Sequence, residues 1–188
     1  IQLDAATRKN LEIDVTLRGE ASPTLYSLLN TTKTAMGARL LRRWLHEPLQ
    51  DRHLVLKRHQ AVGELIAQQQ FETVHHELKS VGDIERITAR VALKTARPRD
   101  LSGLAASLHK LPHVQEKIAH FSASLLQTLN ASLTPPSEVV RLLVAAIKPE
   151  PSVVLRDGGV IAEGFDAELD ELRALQNNHG EFLLQYEA

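Results

Sequence analysis

Apolar side chains recur at steps of three and four residues along most of the chain, which is the spacing of one face of an α-helix. The clearest example predicts a helix that begins near Thr34 and ends before Pro48, because a residue that precedes proline is pushed out of the α region. Its apolar stripe consists of Met36, Leu40, Leu41, Trp44 and Leu45. The opposite face is basic and carries Arg39, Arg42, Arg43 and His46.

Capping residues and prolines divide the following segments into further helices. Asp51 is placed to cap a helix that fades at the polar residues 68–70, and a short helix follows over residues 71–78. Asp83 is placed to cap another, which the pattern extends to about residue 97. Its basic side carries Arg86, Arg90 and Lys94.

The same pattern continues in the second half of the chain. Leucines in residues 101–111 predict a helix that Pro112 stops, and residues 113–133 indicate two short helices. Ser137 is placed to cap a helix that ends near Ile147. A last apolar stripe runs from residue 165 to residue 186 with no Gly, Asn or Pro to close it. Together with an initial Ile, this open end favours an excised piece of a longer protein.

Two segments depart from the helical pattern. Residues 153–155 and 160–161 are short apolar runs on either side of Asp157, Gly158 and Gly159, which predicts a small β-hairpin around a turn that needs positive φ. The first 17 residues fit two structures. Asp4 could cap a short helix, or residues 11–17 could alternate as a strand.

Composition excludes several classes of protein. The chain has 188 residues without Cys, which removes disulfides, thiol nucleophiles and thiolate metal sites. Lys and Arg number 22 against 23 Asp and Glu, so net charge does not indicate a nucleic-acid binder. No apolar run is long enough to span a membrane and no signal peptide is visible, so we expect a cytoplasmic protein.

The sequence contains none of the catalytic or metal-binding motifs that we searched for among its histidines, carboxylates and glycines. His76 and Glu77 lack the second His of a zinc helix, and Pro112 between His109 and His113 is expected to break the helix that would align their rings. Neither a phosphate-binding Gly-Lys-Ser/Thr loop nor a nucleophile elbow is present. We therefore expect that the chain is not itself an enzyme and assign no catalytic, cofactor or metal residue.

The two basic stripes leave two interpretations open. Their arginines could face phosphates, or they could be solvated and pair with acids on neighbouring helices. The second interpretation is the commoner one for amphipathic helices.

Four blocks of sequence closely resemble, in order, the core region of the MutS family of DNA mismatch-recognition ATPases. They are LDAATRKNLEI at residues 3–13, a block over residues 24–49 that contains MGARLLRRWLHEPL, VGDIERITARVALKTARPRDL at residues 81–101, and DGGVIAEGFDAELDELRAL at residues 157–175. One departure is Asn30, where many bacterial relatives have Asp.

The resemblance implies that residues 1–188 form a mainly α-helical core or lever domain between the mismatch-binding and connector domains and the ATPase. Residues 164–188 would begin the lever helix that leads to a DNA clamp beyond this chain. By the same resemblance, the parent protein binds ATP and Mg²⁺, acts on mismatched duplex DNA and forms a homodimer. The bacterial parent would be associated with the nucleoid through its DNA.

The implied role of this domain is mechanical, because it would couple nucleotide state to the position of the DNA clamp. The residues expected to form its stiff core are Leu40, Leu41, Trp44, Leu45, Ile84, Ile87 and Leu104. Two other functions remain open: a stand-alone helical module that binds a protein partner, and duplex DNA binding through the basic helix faces.

Overall fold

A computed structural model describes the backbone of residues 3–186 and the side chains of residues 3–176. This part of the chain is mainly α-helical and contains no β-strand longer than an isolated bridge. Its ten α-helices are α1 (Ala5–Asn10), α2 (Leu25–Leu29), α3 (Ala35–His46), α4 (Arg52–Ala67), α5 (Phe71–Leu78), α6 (Ile84–Ala92), α7 (Pro98–Ile118), α8 (Ser124–Ser132), α9 (Ser137–Ala146) and α10 (Ala167–Tyr186). No helix among the described residues is long and apolar enough to cross a membrane.

Side-chain caps fix the starts of five helices. The carboxylates of Asp4, Asp51 and Asp83 and the hydroxyls of Thr24 and Thr34 each accept from a backbone N–H in the first turn that follows. The caps predicted at Asp51 and Asp83 are therefore confirmed, and Asp4 decides the open question at the start of the chain in favour of a helix. Ser137 is instead the first residue of α9, because Pro136 occupies the cap position.

The longest fully described helix, α7, passes through Pro112, so the prediction that this proline stops a helix is wrong. Proline removes one backbone hydrogen bond, but the residues on both sides bury apolar side chains. Leu108, Val114 and Ile118 are all nearly inaccessible to solvent, and this burial offsets the missing bond. The preceding helix, α6, ends earlier than predicted, at Ala92.

The core surrounds α7. This helix packs against α5, α6, α8 and α9, and α4 packs against α8. The buried cluster at the end of α7 contains Phe121, which is 1% exposed, together with Ala61, Ile118 and Leu126. The domain is therefore organised around one long central helix.

Part of the predicted core is wrong. Ile87 is buried, and Leu41, Leu45, Ile84 and Leu104 are half-buried. Leu40 and Trp44 are instead 44% and 40% exposed. The Arg58 guanidinium lies 3.6 Å above the Trp44 ring and is its stacking partner.

The predicted hairpin is not formed, although the positive φ predicted for its turn is present. Gly158 and Gly159 have φ of 69° and 67°, values that favour glycine. Leu155–Asp157 instead forms a 3₁₀ turn, and the Ser152 hydroxyl donates to the carbonyls of Val154 and Gly158. These local bonds replace a strand ladder.

The second half of the expected hairpin pairs with a different segment. The Lys148 N–H donates to the Val160 carbonyl and the Ala162 N–H donates to the Ala146 carbonyl, each at 2.9 Å. This single antiparallel bridge joins the end of α9 to the segment before α10. On α10, Leu172 and Leu175 of the predicted apolar stripe are exposed, and the stripe beyond residue 176 lies outside the described side chains.

Candidate functional site

The basic face of α3 is a candidate functional surface. Its first arginine, Arg39, pairs with carboxylates of the same chain. The two terminal nitrogens of Arg39 donate to the two carboxylate oxygens of Asp83, each at 2.7 Å, and one also donates to Glu85 at 2.6 Å. A bidentate contact of this kind fixes both the distance and the orientation of the groups. Arg39 therefore joins α3 to the start of α6, across 44 residues of sequence.

Asp83 has two roles at this junction. It caps α6 by accepting from the Arg86 N–H at 3.2 Å, and it receives Arg39 on the same carboxylate. The hydrogen bonds from Arg39 lower the pKa of Asp83 to about 2, and Asp83 and Glu85 in turn raise the pKa of Arg39. The pair therefore remains ionised throughout the physiological range of pH.

Two further residues of the same face contact the N-terminal loop. The Arg42 guanidinium lies 3.6 Å from the carboxylate of Asp14 and 4.8 Å from the centre of the Tyr26 ring. His46 Nε2 lies 3.0 Å from the same carboxylate, although it makes no well-directed hydrogen bond. Among the described residues, Arg43 makes no ion pair.

The second basic stripe is also largely paired. Arg90 lies 3.0 Å from the carboxylate of Asp100, which accepts the Arg97 N–H at 2.9 Å at the start of α7. Arg86 lies 3.6 Å from Asp83. Lys94, in a left-handed conformation with φ of 56°, has no ion pair among the described residues. Two junctions, Arg39 with Asp83 and Arg90 with Asp100, thus connect α3, α6 and α7 in series.

The sequence reasoning missed two polar tertiary contacts. Ser107 is 2% exposed, and its hydroxyl accepts from the Gly82 N–H at 2.9 Å and donates to the Gly103 carbonyl at 2.7 Å. A Cβ at Gly82 would lie 3.0 Å from that hydroxyl, so a larger residue at this position would require the Ser107 side chain to shift. The signal available in the sequence was a single Ser between apolar positions 104, 105 and 108.

The second missed contact involves Glu64 of α4. Its carboxylate accepts from the N–H groups of Ser122 and Ala123 at 2.8 and 2.7 Å and from the Ser122 hydroxyl at 2.8 Å. These bonds lower the pKa of Glu64, and they place a negative charge at the N-terminus of α8. Glu64 therefore holds α4 and α8 in register.

The described residues form a set of helices held together by specific ion pairs, and a comparison with known families identifies the set. The family model described as MutS domain III matches residues 6–186 of the chain. The chain belongs to the MutS family. All of the junctions described above lie within the matched range, and MutS proteins act in DNA mismatch repair.

The sequence predicted that Pro112 breaks the helix between His109 and His113 of this MutS domain, and that prediction is wrong. Because α7 continues through Pro112, His109 and His113 lie on one face with ring centres 6.4 Å apart. Within the described residues, no three His, Asp or Glu side chains are grouped closely enough to hold a metal ion.

The described arrangement brings together acids and bases from distant elements. The described basic residues of α3 and α6 face carboxylates more often than solvent, which supports the second of the two interpretations drawn from the sequence. Each of the two junctions fixes the relative position of two helices through a directional contact.

Proposed function

We propose that the chain is the core or lever domain of a DNA mismatch-recognition ATPase and couples its ATPase domain to its DNA-binding domains. The match to MutS domain III over residues 6–186 carries this proposal. Residues 164–188 would begin the lever helix that leads to the DNA clamp. The parent protein would bind mismatched duplex DNA, ATP and Mg²⁺ through its other domains, and it would act as a homodimer.

The ion-pair junctions support a mechanical role. A lever must move as a unit, which requires contacts that resist sliding between helices. Arg39 holds α3 against α6, and Arg90 holds α6 against α7, the helix around which the core is built. A push on α3 would therefore reach the centre of the domain through two directional contacts.

Exposed apolar side chains support contact with other domains. Leu28 on α2 is 79% exposed, and Leu40 and Trp44 on the neighbouring α3 are exposed as well. The helices that carry them, α2 and α3, pack against each other. We propose that a neighbouring MutS domain covers them and delivers the displacement to α3, while ATP hydrolysis takes place outside this chain.

The proposal is tested by Arg39→Gln in the full-length parent protein. We expect unchanged affinity for a mismatched duplex without nucleotide, and a several-fold slower release from that duplex on addition of ATP. Arg43→Gln is the matched control, because Arg43 lies on the same helix without an ion pair. Equal release rates for wild type and both variants, with normal folding by circular dichroism, would show that this junction transmits nothing.

A further inference from the structure

A shallow depression of about 620 Å³ lies between α1, the loop that follows it and the end of α3. Three cations line it: Arg8 and Lys9 from the last turn of α1, and Arg18 from the loop. Among the lining residues that the structure describes, Asp14 is the only acid. We call this depression the basic pocket.

The acids around the basic pocket are already engaged. Asp14 faces His46 at 3.0 Å and Arg42 at 3.6 Å. The Glu12 carboxylate accepts the Leu17 N–H at 2.7 Å, and Asp4 accepts the Thr7 N–H at 2.7 Å. Within the described part of the chain, no carboxylate lies within ion-pair distance of Arg8, Lys9 or Arg18.

The loop that carries Arg18 is held in place by its own hydrogen bonds. Thr16 is buried, its hydroxyl accepts the Glu20 N–H at 3.0 Å, and its N–H donates to the Glu20 carbonyl at 2.8 Å. The N–H of Gly19, whose φ is 87°, donates to the Thr16 carbonyl at 2.9 Å. Arg18 is therefore presented from an ordered turn.

Like charges assembled on an ordered frame repel one another unless an anion neutralises them. The dipole of α1 favours Arg8 and Lys9 at its C-terminal turn, but it does not explain Arg18, which belongs to no helix. Arginine side chains match phosphate oxygens with two parallel hydrogen bonds, and lysine adds a point charge. We infer that the basic pocket binds a phosphate group, through Arg8, Lys9 and Arg18.

Two sources share this chemistry: the backbone of a nucleic acid and a free polyphosphate. Both are tested on the full 188-residue chain, with a fluorescent duplex of about 20 base pairs and with inorganic tripolyphosphate as the two probes. On the duplex, the three cations would neutralise two to three neighbouring phosphates. Since each phosphate neutralised contributes about −0.9, we expect affinity to fall with salt on a logarithmic slope of about −2 to −3.

Charge reversal at Arg18 is the decisive variant, because Arg18 is exposed and its substitution leaves the core intact. Arg18→Glu should weaken about tenfold the binding of whichever probe the wild-type chain binds. For the duplex, it should also reduce the salt slope by about 1. Arg141→Glu on α9 is the matched control, with the same charge change at an exposed site outside the pocket, and should change affinity less than twofold.

The two probes separate the outcomes. Loss of duplex binding in Arg18→Glu identifies a nucleic-acid backbone, and loss of tripolyphosphate binding alone identifies a free phosphate compound. Equal affinities of wild type, Arg18→Glu and Arg141→Glu for both probes would overturn the inference. Because Arg18 takes part in none of the ion-pair junctions, this result leaves the proposed lever function untouched.

Discussion

Arg39 on α3 holds both carboxylate oxygens of Asp83, the residue that caps α6, at 2.7 Å each. One carboxylate thus stabilises the start of a helix and fixes that helix to another. Because the two roles share the same charge, loss of that charge should loosen the helix start and the tertiary junction at once.

Acid should therefore destabilise the domain through Asp83. Its pKa is about 2 in the folded chain against an ordinary value of 3.8, so the unfolded chain binds more protons between these values. The stability from this group is complete above pH 3.8 and is lost as the pH falls through about 2. Urea unfolding between about pH 5 and pH 2 measures the loss.

Asp83→Asn should lower the free energy of unfolding at neutral pH. It should also make that free energy change less as the pH falls from about 5 to 2. Asp157→Asn provides the control, because Asp157 is exposed and contacts only the neighbouring Arg156, at 3.5 Å. If the free energy of unfolding fell equally with acid in wild type and Asp83→Asn, the low pKa could not be assigned to the contact between Asp83 and Arg39.

Ser107 should be costly to replace despite its small size. Ser107→Ala leaves the Gly82 N–H without its acceptor in a partly buried position, which we expect to cost about 1 to 3 kcal/mol of unfolding free energy. Ser102→Ala on the same helix removes only a contact of 3.4 Å to a carbonyl and should cost much less. Urea denaturation of both variants measures the difference, and equal costs would refute the role of the Gly82 contact.

The elements that the sequence predicted well are those fixed by local chemistry. Asp51 and Asp83 act through their own first turns, so these two caps could be recognised without tertiary information. The errors arose where distant residues decide the outcome. Continuation through Pro112 depends on apolar burial on both sides of it, and the pairing of residues 160–162 depends on the end of α9.

The sequence predicted which basic residues belong to the candidate site, but not which acidic residues they pair with. The spacing on α3 identified Arg39, Arg42 and His46, whereas their partners Asp83 and Asp14 lie far away in sequence. Exposure of Trp44 was equally hidden, because a helical stripe shows which side is apolar but not whether another helix covers it.

Phe121 and Trp44 should therefore respond differently to truncation. Phe121 is 1% exposed at the centre of the core cluster, and Phe121→Ala should cost about 3 to 5 kcal/mol. Trp44→Ala should cost clearly less in the isolated chain, because Trp44 is 40% exposed and its ring stacks on the Arg58 guanidinium at the surface. Chemical denaturation of both variants tests this order, and a reversed order would show that Trp44 belongs to the core.

Pro112 should be a site where replacement stabilises the chain. A proline inside a helix costs about 3 kcal/mol relative to alanine, whereas it restricts the unfolded chain by about 0.4 to 1 kcal/mol. Pro112→Ala should therefore raise the free energy of unfolding by about 2 to 2.6 kcal/mol, since the exposed side chain adds little packing. Pro98→Ala is the contrasting control, because Pro98 is buried at the first position of α7, where proline is favoured. It should lower stability, and a loss of stability in Pro112→Ala as well would mean that α7 requires its proline for packing.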